Sequence, residues 1–307
     1  MTHLSVVIPV LNEESLVNEL ISRVTLNCEK FTNDYEVIII DDGSTDETWI
    51  RISDASILNK KIKGLKFSRN FGHHYALTAG LHETSGEWIV VMDGDLQDRP
   101  EVIPELYEKA QEGYDVVFVS RKNRPEKIYY KILQRLFYWL LNILSGINFD
   151  SSQANFSIIN RKVVEAFRAF PENARFYAST ITWLGFTRAS IFADHGKRYS
   201  GAPSYTFRKR LKLAADIILA FSERPLKFAI GIGMLISTFS FVCVLWIVYN
   251  AVLRGYSVTG WASLILLIFF LSGIILVVLG IIGVYLGRVF QEVKRRPLFI
   301  VSERTNR

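Results

Sequence analysis

Two hydrophobic patterns alternate along the first part of the chain. Compact apolar runs at "LSVVIPV" (4–10), "YEVIIIDD" (35–42), "IKGLKFS" (62–68), "EWIVVMD" (87–93) and "YDVVFVS" (114–120) predict strands. Between them, residues 13–24, 46–57, 73–83 and 100–113 predict helices. Val/Ile-rich strands separated by helices point to a mostly parallel sheet covered on both faces, and so to the α/β class. In such folds ligands bind outside the carboxyl ends of the strands.

The pattern then changes. Phe228 to Leu253 carries no charge, and neither does Gly255 to Gly287. Each exceeds the roughly 20 apolar residues that a membrane-spanning helix needs. Two spans are expected, at about 227–252 and 261–286. Arg208, Lys209, Arg210, Lys212, Arg224 and Lys227 precede the first, and Arg288, Lys294, Arg295 and Arg296 follow the second. The connection between them has only Arg254. By the positive-inside rule both termini face the cytoplasm. The apolar stretch at 4–11 is too short for a signal peptide, and acidic residues follow it at once.

Two further stretches read as basic amphipathic helices lying in the membrane interface. One is 127–146, where Lys127, Lys131 and Arg135 form a stripe beside Ile132, Leu136, Trp139 and Leu140. The other is 207–221, with Leu211, Ala214, Ile218 and Phe221 on one side. Packing on the domain core is the alternative for both.

Composition agrees with this division. Half of the 307 residues are hydrophobic, while 21% are charged, and the mean hydropathy is +0.20. A net charge of +6 could indicate nucleic acid, but the basic residues crowd beside the spans. Anionic membrane lipids are therefore the expected partner, and nucleic acid is not. Cys28 and Cys243 lack metal-ligand spacing and are poorly placed for a mutual disulfide, which fits a reducing compartment.

The candidate chemistry lies where strands end. Glu13 and Glu14 follow the first strand, Asp41 and Asp42 end the second, and "VVMDGDLQDRP" places Asp93, Asp95, Gln97 and Asp98 after the fourth. Oxygen donors so grouped suit Mg²⁺ or Mn²⁺, or else a polar turn capping the helix from Pro100. No GxGxxG or GxxxxGK[ST] appears in the sheet region, which disfavours a dinucleotide fold or a P-loop.

"VVIPVLNEE", "IIIDDGSTDET", "SRNFG" and "VVMDGDLQDRPE" occur in the order seen in family 2 glycosyltransferases. With "FSERPLK" and the two spans, nearly the whole chain resembles the polyprenyl-phosphate glycosyltransferases of that family. These include dolichyl-phosphate mannose synthases and bacterial undecaprenyl-phosphate glucosyltransferases. The resemblance implies a GT-A, Rossmann-like domain at 1–205, a juxtamembrane amphipathic helix at 206–225, two transmembrane helices within 226–290 and a cytoplasmic tail at 291–307.

It also implies roles. Pro9, Asn12, Glu13 and Asp42 would line the nucleobase and ribose pocket, and Asp93, Asp95 and Gln97 would hold Mg²⁺ or Mn²⁺ at the donor diphosphate. Asp98 has the weaker claim, as a helix cap. Arg121 would contact the phosphates and take part in catalysis with Asp95 and Asn155. Arg135, Arg198 and Tyr205 would bind the acceptor or its phosphate. Two departures stand out: Asn155 and Ser157 occupy the places of an Asp and an Arg, and Pro203-Ser204-Tyr205 replaces Ser-Lys-Tyr.

The expected activity is inverting transfer of a single sugar to polyprenyl phosphate at the cytoplasmic face of the inner membrane. The donor is a nucleotide sugar, with UDP-glucose as first choice. A lipid phosphate is largely a dianion at pH 7 and needs no strong base. A non-catalytic nucleotide-sugar-binding membrane protein and a processive polysaccharide synthase stand as alternatives. Similar enzymes form tetramers, and a GxxxG step at Gly283–Gly287, with Gly280 one turn earlier, could support a homo-tetramer here.

Overall fold

The structure is a computed structural model and describes residues 2–121, 153–170, 172, 176–194, 224–254 and 260–306. Two compact units are present. The first comprises residues 1–138, 149–206 and 296–307, and the second residues 139–148 and 207–295.

The described elements of the first unit are β1 (Leu4–Val10), α1 (Val17–Cys28), β2 (Tyr35–Asp41), α2 (Thr48–Leu58), β3 (Ile62–Phe67), α3 (His73–Glu83), β4 (Trp88–Val91), a 3-10 turn at Pro100–Val102, α4 (Ile103–Gln111), β5 (Val116–Arg121), β6 (Gln153–Asn160), α5 (Arg161–Arg168), α6 (Tyr177–Trp183), β7 (Arg188–Ala193) and, at the far end of the chain, β8 (Val301–Arg304). The strands form one sheet in the order β7-β5-β6-β4-β1-β2-β3-β8. Pairs β1–β2, β1–β4, β2–β3 and β5–β7 are parallel. Pairs β3–β8, β4–β6 and β5–β6 are antiparallel.

Every residue of β1 and β2 is buried, because both faces of the sheet are covered. One face packs against α1, α2 and α4 through residues such as Leu20, Ile52 and Leu106. The other packs against α3, α5 and α6 through Leu77, Phe167 and Tyr177. Pro9 is tolerated in a central strand for a local reason. Val7 O accepts from Met92 N on the β4 side, and Pro9, two residues on, faces the same way. The β4 ladder has already ended at Val7↔Val91, so the missing N–H of Pro9 forfeits no ladder bond.

The five apolar runs became β1 to β5 within a few residues. The first helix differs from its expected span of 13–24. It starts at Val17 because Glu13 N donates to Thr48 Oγ1 and Glu14 N to Asp46 Oδ2, tying the preceding turn to the β2–α2 loop. It runs on to Cys28 because Val24, Asn27 and Cys28 are buried. Strands β6, β7 and β8 had no counterpart among the expected elements.

Among the described residues, Glu36 is the one buried carboxylate at the amino ends of the parallel strands. Its Oε1 accepts from Ser5 Oγ (2.6 Å), Ser85 N (2.6 Å) and Ser85 Oγ (2.8 Å), and its Oε2 pairs with Lys63 Nζ at 2.7 Å. Burial alone would raise its pKa, but Lys63, Ser5 and Ser85 together hold it below the ordinary glutamate value. A carboxyl with a depressed folded pKa stabilises above its unfolded value, and that contribution is lost as pH falls through the folded one. Glu36→Gln should therefore cost about 2 kcal/mol at pH 7, the scale for hydrogen bonds to a charged group. It should also flatten the acid limb of stability, read from urea unfolding followed by tryptophan fluorescence in detergent. An unchanged acid limb would remove Glu36 from the account.

In the second unit α7 (Arg224–Arg254) and α8 (Trp261–Val293) are apolar and lie open. Phe228, Leu235, Phe239, Phe269, Leu276 and Val277 are more than half exposed. The windows Leu226–Cys243 and Leu267–Val293 are long and apolar enough to cross a membrane. A helix that is apolar all round and uncovered by protein calls for an apolar surrounding. The helix containing the second expected span runs seven residues past 286, to Val293. A Cβ built at Gly280, Gly283 or Gly287 would meet nothing within 4 Å, so packing of α7 against α8 does not require these glycines. The interfacial stretch 127–146, and 207–221 with it, lies outside the described residues.

Candidate functional site

β1, β2 and β4 are adjacent and parallel, so their carboxyl ends open on one edge of the sheet. β6 runs against β4, with register Trp88↔Asn160 to Val91↔Ser157. Two residues further along, that register sets Asn155 across from Asp93. β5 points the same way as β4, and its last residue, Arg121, stands opposite Ala193 of β7. The backbone therefore delivers Pro9, Asn12, Glu13, Asp42, Asp93, Asp95, Arg121 and Asn155 to one edge. Arg135, Arg198 and Tyr205 lie outside the described residues.

The loops at this edge are bound to one another. Asn12 has φ 54°. Its N donates to Ser44 Oγ at 2.9 Å, and its Oδ1 accepts from Thr45 N at 2.9 Å. Asp42 accepts from Phe71 N (2.8 Å) and Gly72 N (2.9 Å). Its carboxylate thus holds the "SRNFG" loop, a task the sequence reading did not foresee. Burial raises the Asp42 pKa, and the two backbone N–H groups act against that rise.

The neighbouring Asp41 was passed over as a site residue. It is fully buried, and its Oδ1 accepts from Ser44 N. Its Oδ2 has no hydrogen-bond partner among the described residues. Burial raises its pKa as well. An acid doubled at a strand end was the signal that could have found it.

The turn after β4 is a tight one. Asp98 Oδ2 accepts from Asp93 N at 3.1 Å, and Asp95 Oδ1 from Gln97 N at 3.0 Å. Leu96 has φ 58° and is buried, a strained conformation of the kind found at functional sites. Gly94 lies against β1: a Cβ there would stand 2.6 Å from Val10 Cγ1 and 3.0 Å from Pro9 O. Asp98 stands one residue before Arg99, the N-cap position of the turn from Pro100, whose own side chain makes no cap. Its Oδ2 bond to Asp93 N closes the turn that presents Asp93 and Asp95.

Asp93 and Asp95 are hard oxygen donors at a strand end. No cluster of three or more His, Cys, Asp or Glu forms a closed metal cage among the described residues. Two carboxylates on an open edge fit a cation whose other ligands are phosphate oxygens and water, the usual manner for Mg²⁺.

His73 was also missed. It opens α3, and its Nε2 lies 3.3 Å from Asp93 Oδ1 and 3.3 Å from the Asn155 amide nitrogen. Burial lowers its pKa against the pull of Asp42, Asp98 and Asp95, and burial pushes the adjacent His74 down to about 3. Ser157, expected to stand where relatives have a cation, points inward. It is fully buried, and its hydroxyl lies 2.9 Å from Asn155 O and 2.8 Å from the Tyr177 hydroxyl.

A mixed sheet covered by helices on both faces, with acidic loops at the ends of its parallel strands, defines a GT-A-type transferase. The pattern of Glycosyl transferase family 2 matches residues 5–171, and the chain belongs to that family. It is 37% identical over 300 residues to the uncharacterised glycosyltransferase YkcC of Bacillus subtilis, covering 97% of this chain and 93% of that protein. It is 33% identical over 302 residues to a prophage-derived bactoprenol glucosyl transferase of Shigella flexneri, covering 98% and 97%. Among solved structures, the glucosyl-3-phosphoglycerate synthase of Mycobacterium tuberculosis, in complex with Mn²⁺, UDP and glucosyl-3-phosphoglycerate, shares the fold. The TM-score is 0.52 at 20% identity, covering 71% of this chain and 78% of that one.

Proposed function

We propose that this glycosyltransferase moves one sugar from a nucleotide sugar, UDP-glucose as first choice, to a polyprenyl phosphate at the cytoplasmic face of a membrane. One observation carries the reading. A single chain joins a strand-end acidic site to two uncovered apolar helices, and over nearly its full length it is similar to a protein named for glucosyl transfer to bactoprenol.

The chemistry follows from the edge. An acceptor phosphate oxygen attacks the anomeric carbon and forms the new C–O bond. The bond from that carbon to the donor diphosphate breaks on the opposite face, the nucleoside diphosphate leaves with the electron pair, and configuration inverts. A divalent cation held by Asp93 and Asp95 would neutralise charge gathering on the leaving diphosphate. Asn12 and the loop held by Asp42 would seat the nucleoside, and Arg121, with its fork of donors, would serve the phosphates. Arg135, Arg198 and Tyr205 are assigned to the acceptor side by resemblance.

Incubating membranes with a panel of labelled nucleotide sugars and following label into the organic phase tests the reading. Label in a lipid phosphate ester supports it. Label in a polymer would favour a processive synthase, and binding without transfer a non-catalytic protein.

The assigned topology has support in the connectivity. The chain leaves the first unit before α7 and returns to it at 296–307, where β8 pairs with β3. Both outer ends of the hairpin are assigned to the cytoplasmic side by the charge asymmetry of the flanking residues. A cysteine at Ser257 should react with an impermeant maleimide in intact cells, and one at the exposed Lys60 only after permeabilisation. The reverse pattern would overturn this topology. Self-association remains part of the proposal: with Gly280, Gly283 and Gly287 open, a second copy of the chain is their assigned partner.

A further inference from the structure

The loop that Asp42 holds has a second anchor, and it comes from the far end of the chain. Residues 68–72 leave the carboxyl end of β3 and lead into α3. Asp42 fixes the end nearest α3 by accepting from Phe71 N and Gly72 N. At the other end, Ser68 N donates to Ile300 O at 3.0 Å. The ring of Phe299 stacks on Phe67, with centroids 5.1 Å apart and planes 12° from parallel. Phe67 meets the ring of Phe71 edge to face at 5.6 Å. The Arg69 guanidinium lies 3.9 Å from the centre of the same Phe71 ring. Three aromatic rings thus run in a row from the tail into the loop.

β8 runs antiparallel to β3, so the two ends of the tail meet opposite ends of that strand. Phe299 and Ile300 sit at its carboxyl end, beside the loop. Towards the amino end, Thr305 Oγ1 accepts from Gly64 N at 2.7 Å, and Asn306 Nδ2 donates to Ser56 O and Ile62 O. The second set fastens the tail to the sheet, and the first reaches the loop. A loop tied by Asp42 alone would open more readily, since local opening is cheapest where few contacts oppose it.

We propose that Phe299 and Ile300 are positioning residues for the sugar donor: they hold the β3 end of loop 68–72, so that the loop is set for the nucleoside before the nucleotide sugar arrives. This rests on the proposed use of that loop to seat the nucleoside. It deepens that reading by assigning the residues that preorganise the seat. A preorganised loop avoids an ordering cost on binding, so its loss appears as weaker donor affinity. The tail touches neither substrate in this account, and its effect falls on the donor and not on the acceptor.

The test uses the full-length protein in nanodiscs, with UDP in saturating Mn²⁺ as the probe. Phe299→Ala should weaken UDP binding, measured calorimetrically, about tenfold. The donor KM should rise in parallel, and the acceptor KM should stay within about twofold. Phe299→Leu, which keeps apolar bulk against Phe67, should recover most of that loss. Hydrogen exchange at the Phe71 and Gly72 amides should quicken in Phe299→Ala and slow again in Phe299→Leu, a readout independent of turnover. Thr305→Val is the control. It removes the acceptor of Gly64 N, so stability to urea should fall while UDP affinity stays within about twofold. Unchanged UDP affinity in Phe299→Ala, or an equal loss in Thr305→Val, would overturn the inference while leaving the function standing. Should Phe299→Ala not fold, exchange at the two amides in Phe299→Leu decides, and a rate equal to that of the wild type would overturn the inference. A wild-type protein that binds no nucleoside diphosphate would overturn the donor reading and the inference with it.

Discussion

Asp95→Asn is expected to lower sugar transfer by about 10³-fold while the protein stays folded and membrane-bound. Electrostatic stabilisation of a leaving group is commonly worth this much when one preorganised contributor is lost. The substitution separates charge from structure. Asp95 Oδ1 accepts from Gln97 N, and an asparagine oxygen can do the same, so the turn after β4 keeps its shape. What disappears is one of two carboxylates assigned to the cation. Mn²⁺-dependent binding of UDP should weaken in parallel, with a melting temperature near that of the wild type. Near-normal transfer in both chelated and metal-replete buffer would sink the metal assignment.

Gly43→Ala should act through the backbone and cost both stability and donor binding. Gly43 has φ +77°, and a Cβ there would stand 2.6 Å from Asn70 N and 2.8 Å from Arg69 O. Left-handed strain costs roughly 1–2 kcal/mol, and forcing two backbones apart adds roughly 1–3 kcal/mol. A total near 3 kcal/mol is expected from urea unfolding. The clash falls on the loop whose Phe71 and Gly72 N–H groups Asp42 holds, so UDP affinity should drop more than tenfold. Gly113→Ala is the control. Gly113 shares a positive φ of +101° but has nothing within 4 Å of a built Cβ. It should show the strain alone, about 1 kcal/mol, and full transfer activity. Equal behaviour of the two variants would mean that the Arg69–Asn70 contact does not matter.

The central sheet was legible because burial on both faces imposes a compositional demand that local sequence must meet. β1, β2 and β4 are Val/Ile-rich for that reason, and the polar residues at their ends mark where the apolar demand stops. Of the three strands that escaped notice, β6 is buried from Phe156 to Ile159, whereas β7 and β8 lie under weaker demands. β7 is an edge strand with one buried position in six, and β8 is exposed at three of four positions. β8 owes its place to distant partners: Trp49 Nε1 donates to Glu303 Oε2, Gly64 N to Thr305 Oγ1, and Ser68 N to Ile300 O. Nothing within 301–304 announces a strand, because its ladder is supplied by residues more than 200 positions away.

The site divides along the same line. The sequence by itself determined which acids stand at strand ends, since a strand and the polar residues that terminate it are contiguous, and it determined the two long apolar helices, whose length and lack of charge are local properties. Only the tertiary structure decided what each acid does. Asp42 holds a loop and Asp98 closes a turn because their hydrogen-bond partners come from elsewhere in the fold. Ser157 turns inward because the pleat of β6 and the Tyr177 hydroxyl set its direction. His73 meets Asp93 and Asn155 because α3 begins where β4 ends and β6 starts. A hydrogen bond needs two groups within about 3 Å, and chain folding, with no trace in local composition, brings such groups together from 20 and 82 positions apart.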